Sequence, residues 1–458
     1  LSPAQQGLWH QVAWWGHAVL AFGFIALLPY TLIRHILTAA ANIALRRPHP
    51  SGVIQPVALE EAEHFGISMV QGFPRKDLLD LIACTECGRC QDGCPAYATG
   101  KPLTPKGLIM DLRDHLLERA SGRENGRIVV GGVIGEDVIW SCTTCGACHQ
   151  ECPVLIEPIP KIVGMRRFLV MEEARFPDTM QAAMRGIENR GHPYQGAVPS
   201  RTTWIKGLDV PLMADKGTAE YLYWVGCAAA FDERTQNVAR ALVQVLKAAG
   251  VDFAILGEEE RCTGDVARRI GHEFLFQMQA QANVETLNGY GVKKIITACP
   301  HCFNTLQHEY GYFGGHYQVI HHTVLIRDLI AQGRLRLKGP MDHTVAYHDS
   351  CYLGRHNQIF NAPREILSSL SGIRLKELGR NREQGFCCGA GGGMVWFEER
   401  IGKRVNVERT EEALRLGPDM VATACPFCLT MFEDGLRAKD AMEGLKALDV
   451  VELVAGAI

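Results

Sequence analysis

Two rhythms of apolar and polar positions divide this 458-residue chain. Near its start the pattern is almost unbroken apolar: Trp9, Trp14 and Trp15 precede the run Ala18–Ile33, and no Lys, Arg, Asp or Glu occurs before Arg34. A helix begun at Val12 reaches the ~20 residues that cross a bilayer, and such a helix tolerates Pro29 with a kink. The tryptophans stand where an interfacial belt would. Arg34, Arg46 and Arg47 follow, so the positive-inside rule puts the rest of the chain on the cytoplasmic face of the cell inner membrane. A secretory signal fits poorly, because there is no basic start and no clear small-residue cleavage site.

The last 240 or so residues follow the other rhythm, short apolar runs alternating with amphipathic ones. Tyr221–Val225 reads as a strand, Glu233–Ala249 as a helix, Phe253–Leu256 as a strand, Glu273–Asn288 as a helix and Lys294–Thr297 as a strand. This alternation predicts α/β units on mostly parallel sheets. It occurs twice: Cys227, Cys262, Cys299 and Cys302 recur as Cys351, Cys387, Cys425 and Cys428, at offsets of 124, 125, 126 and 126 residues. An internal repeat of that regularity means two copies of one lobe. Each cysteine follows a predicted strand end, where such sheets present their sites.

Composition narrows the chemistry. A net charge of −3 offers no basic excess, which excludes nucleic acid as a partner. Seventeen cysteines are many, and all but Cys227, Cys262 and Cys351 fall in tight clusters or in an adjacent pair. That pattern points to metal ligation in a reducing compartment rather than to a disulfide scaffold. Cys84-x2-Cys87-x2-Cys90-x3-Cys94-Pro95 and Cys142-x2-Cys145-x2-Cys148-x3-Cys152-Pro153 are two complete ferredoxin motifs. Zinc also uses Cys-x-x-Cys pairs, but two full copies ending in Cys-Pro favour a pair of [4Fe–4S] clusters. In two-cluster ferredoxins the fourth cysteine serves the other cluster. One set is therefore Cys84, Cys87, Cys90 and Cys152, and the other is Cys142, Cys145, Cys148 and Cys94.

The predicted fold class is α/β with an α-helical ferredoxin module. Residues 1–45 form the transmembrane helix, 46–73 a connector and 74–175 the two-cluster module, which includes the amphipathic stretch Lys106–Ala120. Residues 176–218 are a linker, 219–340 the first lobe and 341–458 the second.

The second lobe reads Cys351-x35-Cys387-Cys388-x36-Cys425-x2-Cys428. Five cysteines exceed the needs of one cubane. This arrangement resembles the cysteine-rich domain of heterodisulfide reductase and its relatives. The resemblance implies a non-cubane [4Fe–4S] cluster on Cys351, Cys387, Cys388, Cys425 and Cys428 as the reactive site. In the first lobe Arg261-Cys262-Thr263 replaces the adjacent pair. Cys227, Cys262, Cys299 and Cys302 either hold an ordinary [4Fe–4S] cluster or are the remains of a site that now only packs. Gly389–Gly393 is expected to let backbone approach the cluster closely. It lacks the surroundings of a dinucleotide fingerprint. His348, Asp349 and Arg355 flank Cys351; they move protons or hydrogen-bond to sulfur.

His17 and His35 stand 18 residues apart, which is about five turns and about 27 Å on one helical face. That is the spacing of axial ligands to two stacked b-type haems. The segment Trp14–Asn42 resembles the last haem-ligating helix of the membrane component of respiratory nitrate reductase. Two interfacial histidines at helix ends would fit as well.

The order of parts resembles membrane-bound iron–sulfur proteins related to heterodisulfide reductase, above all the oxidoreductases that link electron-transfer flavoprotein to quinone. The resemblance implies a flavoprotein donor, a membrane quinone as acceptor and haem b in the intact assembly. The rivals are a disulfide or trisulfide reductase acting at Cys387–Cys388, and a non-catalytic component wiring a glycolate-, lactate- or glycerol-phosphate-type dehydrogenase.

Overall fold

The computed structural model of the chain describes residues 2–31, 34–123 and 126–458. Its architecture is an α-helical cysteine module wedged against two α/β lobes.

Each lobe is built on a four-stranded, wholly parallel sheet. In the first, β1 (Tyr221–Trp224), β2 (Phe253–Ala254), β3 (Lys294–Thr297) and β4 (Gln318–His321) lie in the order β2-β1-β3-β4. In the second, β5 (His343–Tyr347), β6 (Ile373–Glu377), β7 (Met420–Thr423) and β8 (Lys446–Asp449) repeat that order as β6-β5-β7-β8. The chain reverses its direction of travel across the sheet between β1 and β3, and again between β5 and β7. Open parallel sheets carry their sites at such switch points, beyond the carboxyl ends of the strands. Cys227 and Cys299 follow β1 and β3, while Cys351 and Cys425 follow β5 and β7. The helix Glu233–Ala248 buries its apolar stripe, and Glu273–Gly289 buries Leu275, Phe276, Val284 and Leu287. The lobes share one core, which joins Val238, Leu242 and Leu246 of that first helix to Val345, Val421 and Val451 of the second lobe.

The ferredoxin-type module consists of short helices around its cysteines, buttressed by Arg75–Ala83, Pro105–Ala120 and Pro158–Arg167. Buried Lys161 spans Asp77 (2.8 Å) and Asp80 (2.6 Å) and ties the first of these helices to the last.

The amino-terminal segment departs from expectation. Among the described residues no helix is long and apolar enough to cross a membrane. The expected transmembrane helix, and the inner-membrane localisation that rested on it, are therefore not upheld. A helix does run over Pro3–Leu27, but its first half carries Gln5, Gln6, His10 and Gln11. A 3-10 turn (Leu28–Tyr30) ends it at Pro29, which has no amide N–H to continue the ladder. The far end of the expected span, Leu32 and Ile33, lies outside the described residues. A second helix, His35–Ala44, docks on the cysteine module. Asn42 is buried there, donating to the Val154 carbonyl (2.8 Å) and accepting from Lys76 (2.9 Å), and Thr38 donates to the Ile82 carbonyl (3.2 Å). His17 and His35 thus sit on separate helices, so the same-face spacing expected of two haem ligands does not arise.

Candidate iron–sulfur centre

The two ferredoxin motifs fold alike. Glu86 and Thr144, both non-glycine, hold positive φ (56° and 51°), and Gly88 and Gly146 follow at 84° and 77°. A backbone wound this tightly turns successive cysteines inward. One small chamber is walled by Cys84, Cys87, Cys90, Cys152 and also Cys148. Its neighbour is walled by Cys94, Cys142, Cys145 and, again, Cys148. The fourth cysteine of each motif therefore faces the other motif's chamber, and the two chambers share a wall.

Electrostatics shows what these chambers suit. Burial, together with the neighbouring Cys84, Cys152 and Cys87, pushes the Cys90 thiol up to about 12. Burial and the nearby Cys145 and Cys142 push Cys94 up to about 12 as well. Bare thiolates would repel one another here, and a cationic metal cluster reverses that balance. Amide N–H groups already point at sulfur, from Thr144 to Cys142 (3.3 Å) and from Ile156 to Cys152 (3.3 Å). Donors of this kind favour the thiolate. The residues fit [4Fe–4S] clusters in donor type, number and enclosure.

The lobes bring their cysteines together in the same way. Gly264 N–H donates to Cys262 (3.4 Å) and Gly389 N–H to Cys387 (3.3 Å), two equivalent positions of the repeat. All nine lobe cysteines are buried. In the second lobe Cys387 contacts Cys351, and the Cys388 and Cys428 sulfurs lie 3.3 Å apart. A ring nitrogen of His348 lies with these two sulfurs, all within 4.8 Å of one another. In the first lobe Cys262 faces Cys227, and Thr263 Oγ1 stands 3.8 Å from the Cys302 sulfur.

The sulfurs form a connected series across all three domains. Cys145 of the module contacts Cys387. Cys387 is adjacent to Cys388, which meets Cys428, and Cys428 meets Cys425. Cys425 then has Cys299 of the first lobe as a neighbour, and Cys299 has Cys302. Burial would raise the Cys425 thiol, but its Cys299 and Cys428 neighbours outweigh that and bring it down to about 6. The Cys388 thiol lies well below its ordinary value because Cys387 and Cys428 donate to it.

Glycines and arginines make this junction possible. A Cβ on Gly391 would overlap the Thr143 carbonyl, and one on Gly392 the Cys142 carbonyl. The glycine run thus lets the second lobe's backbone lie against the second ferredoxin motif. Arg166, fully buried, donates to the carbonyls of Ile139 and Cys142 in the module, Arg269 in the first lobe and Gly392 in the second. Arg355 donates to the carbonyls of Cys145 (2.9 Å) and Gly385, across the same seam. Asp349 forms an ion pair with Arg364 (2.7 Å) and accepts from the Arg382 amide (2.7 Å), which leaves it bracing the loop rather than facing sulfur. His348 Nδ1 accepts from Arg409 Nε (3.1 Å), and burial followed by the Arg409 charge holds its pKa well below the ordinary imidazole value. Arg166 and Arg409 carry no sequence signal: Arg166 has Arg167 beside it, and Arg409 stands among the charged residues Glu408, Glu411 and Glu412. An open groove of about 620 Å³ is lined in part by Tyr194, Phe231 and Trp396, and Tyr194 has Cys227, Cys299 and Cys262 of the first lobe as neighbours.

Known proteins share both parts of this arrangement. The Cysteine-rich domain family matches residues 221–307 and again 345–433, and the 4Fe-4S dicluster domain family matches 80–156. The EtfAB:quinone oxidoreductase of Syntrophomonas wolfei is 42% identical over 485 aligned positions, covering 98% of this chain and 68% of that protein. A probable membrane-anchored ferredoxin of Chromohalobacter salexigens is 36% identical, covering 100% of this chain and 74% of its own length. One component of the dihydromethanophenazine:CoB–CoM heterodisulfide reductase of Methanosarcina barkeri is 33% identical, covering 83% of this chain and 95% of that polypeptide.

Proposed function

We propose, for a chain that belongs to the iron–sulfur oxidoreductases related to heterodisulfide reductase, that it passes electrons from a flavoprotein donor of the electron-transfer type to a quinone. The observation that carries this reading is the series of neighbouring sulfurs from Cys145 through Cys387, Cys388, Cys428 and Cys425 to Cys299. A relay needs its centres close together and in order, and this series of neighbours supports such a placement. Cys84, Cys87, Cys90 and Cys152 hold one [4Fe–4S] cluster, and Cys94, Cys142, Cys145 and Cys148 hold the next. The five cysteines of the second lobe hold a non-cubane cluster, and the four of the first lobe an ordinary one. When bound, these clusters supply one-electron chemistry. The protein excludes water from them, fixes their sequence and donates amide hydrogens to their ligands. Cys87 is exposed and marks one end of the series, while the groove beside Tyr194 and Trp396 marks the other.

Burial supports this reading over its main rival. A disulfide reductase must admit its substrate to the Cys387–Cys388 site, yet Cys387 is 1% and Cys388 4% exposed. The test uses the iron-loaded chain with three acceptors offered separately: a soluble quinone, an organic disulfide and a trisulfide. Reduced electron-transfer flavoprotein should drive quinone reduction and leave the sulfur substrates untouched. Turnover of a disulfide but not of quinone would replace this reading with the reductase.

A further inference from the structure

The repeat places a ring three residues ahead of the first cysteine in both lobes, Trp224 before Cys227 and His348 before Cys351. The positions correspond in three dimensions too. Trp224 ends β1 in register with Thr297 of β3, and His348 follows β5 with its amide donating to Ala422 of β7 (2.9 Å). Both side chains are wholly buried. Among the described residues, Trp224 Nε1 has no hydrogen-bond partner, and neither does His348 Nε2.

An indole nitrogen can only donate. The imidazole is fixed as a donor by a different route. Arg409 also can only donate, and it donates into Nδ1 (3.1 Å), so the proton of the neutral ring sits on Nε2. Each lobe therefore holds one orphaned N–H at the same place. Leaving a buried donor unpaired costs about 1–3 kcal/mol, and buried donors are nearly always paired. Recurrence of such a donor at one position of a repeat points to a missing acceptor common to both lobes. Trp224 packs in one core with Cys227, Cys262, Cys299 and Cys302, and the His348 ring lies against Cys388 and Cys428.

We infer that Trp224 and His348 are positioning residues, each donating its ring N–H to a sulfur of the cluster bound in its own lobe, with Arg409 holding the His348 tautomer. This rests on the reading that the lobes bind clusters. Hydrogen bonds to sulfur draw charge from a cluster and raise its reduction potential.

Potentiometric titration followed by EPR tests the assignment on the iron-loaded chain. His348→Phe should lower the midpoint of the second-lobe signal and leave both ferredoxin signals where they were. His348→Gln, which restores an N–H, should return that midpoint towards its original value, and Arg409→Met should lower it in part. Trp224→Phe should lower the first-lobe midpoint alone. An unmoved second-lobe midpoint in His348→Phe, or an equal shift of every centre, overturns the inference. If His348→Phe does not fold, a His348→Gln midpoint as low as that of Arg409→Met overturns it instead. Absence of any lobe signal from the unsubstituted protein would overturn the cluster reading itself, a distinct outcome.

Discussion

The two lobes share strand order, register and the spacing of four cysteines, yet they occupy different places in the molecule. The second lobe touches the ferredoxin-type module directly, through Cys387 on Cys145 and the glycine run on Cys142 and Thr143. The first lobe joins the sulfur series at the second, where Cys299 neighbours Cys425. The ligand sets differ in the same sense. Five cysteines meet in the inner lobe, whereas Thr263 stands in for one of them in the outer lobe, its hydroxyl facing Cys302. Duplication supplied two equivalent sites, and docking made one a junction and the other a terminus.

Substitutions can break this contrast. The largest effect is expected from Cys388→Ser, which should abolish flavoprotein-to-quinone turnover while the EPR signals of both ferredoxin clusters persist. Normal turnover per iron would show that the inner lobe is not on the path. Cys94→Ala comes next. It should cost the cluster built on Cys142, Cys145 and Cys148 and spare most of the one at Cys84. Loss confined to the Cys84 cluster would undo the exchanged-ligand assignment.

Gly392→Ala tests the contact rather than the ligands. Its positive φ (66°) and the Cys142 carbonyl behind it leave no room for a methyl group. Overpacking of this kind costs about 1–3 kcal/mol. Thermal unfolding should report that loss, and rapid-mix reduction should show electrons reaching the inner lobe more slowly. An unchanged transfer rate would mean that this contact does not set the path. The smallest effect belongs to Thr263→Ala, since a hydroxyl 3.8 Å from sulfur is a weak partner. Because Thr263 is buried, a stability loss of about 1 kcal/mol is expected, with turnover nearly unchanged. A large loss would promote Thr263 to a functional group of the outer lobe.

Much of this asymmetry is legible in the sequence, because cysteine spacing encodes both motifs and the repeat, and Thr263 marks the outer lobe as different. Strand positions follow from apolar runs ending at cysteines. The edge strands β4 and β8 escape notice, since Gln318–His321 and Lys446–Asp449 are short and half polar. The amino-terminal helix misleads for a related reason. Hydropathy over Val12–Ile33 does not register the break at Leu28–Tyr30, nor that the next helix docks through Asn42 on Val154, 112 residues away in the chain. Contact between the domains is invisible for the same reason. No local pattern announces that Arg166 reaches carbonyls in three of them, or that Gly391 and Gly392 lie against a different motif. Trp224 was within reach: counting back three residues from each first cysteine sets it beside His348.

The seam closed by Arg166 also governs how the protein can be made. Cys87 remains open to solvent, but every lobe cysteine is sealed once the three domains meet around that guanidinium. Iron and sulfide cannot pass through a packed interior, so on the proposed cluster assignment the lobe sites would fill before the domains close, and the chamber at Cys87 would fill last. The order of maturation would then follow from the fold. On the same assignment, a chain that closed early would keep its shape and lack its lobe centres.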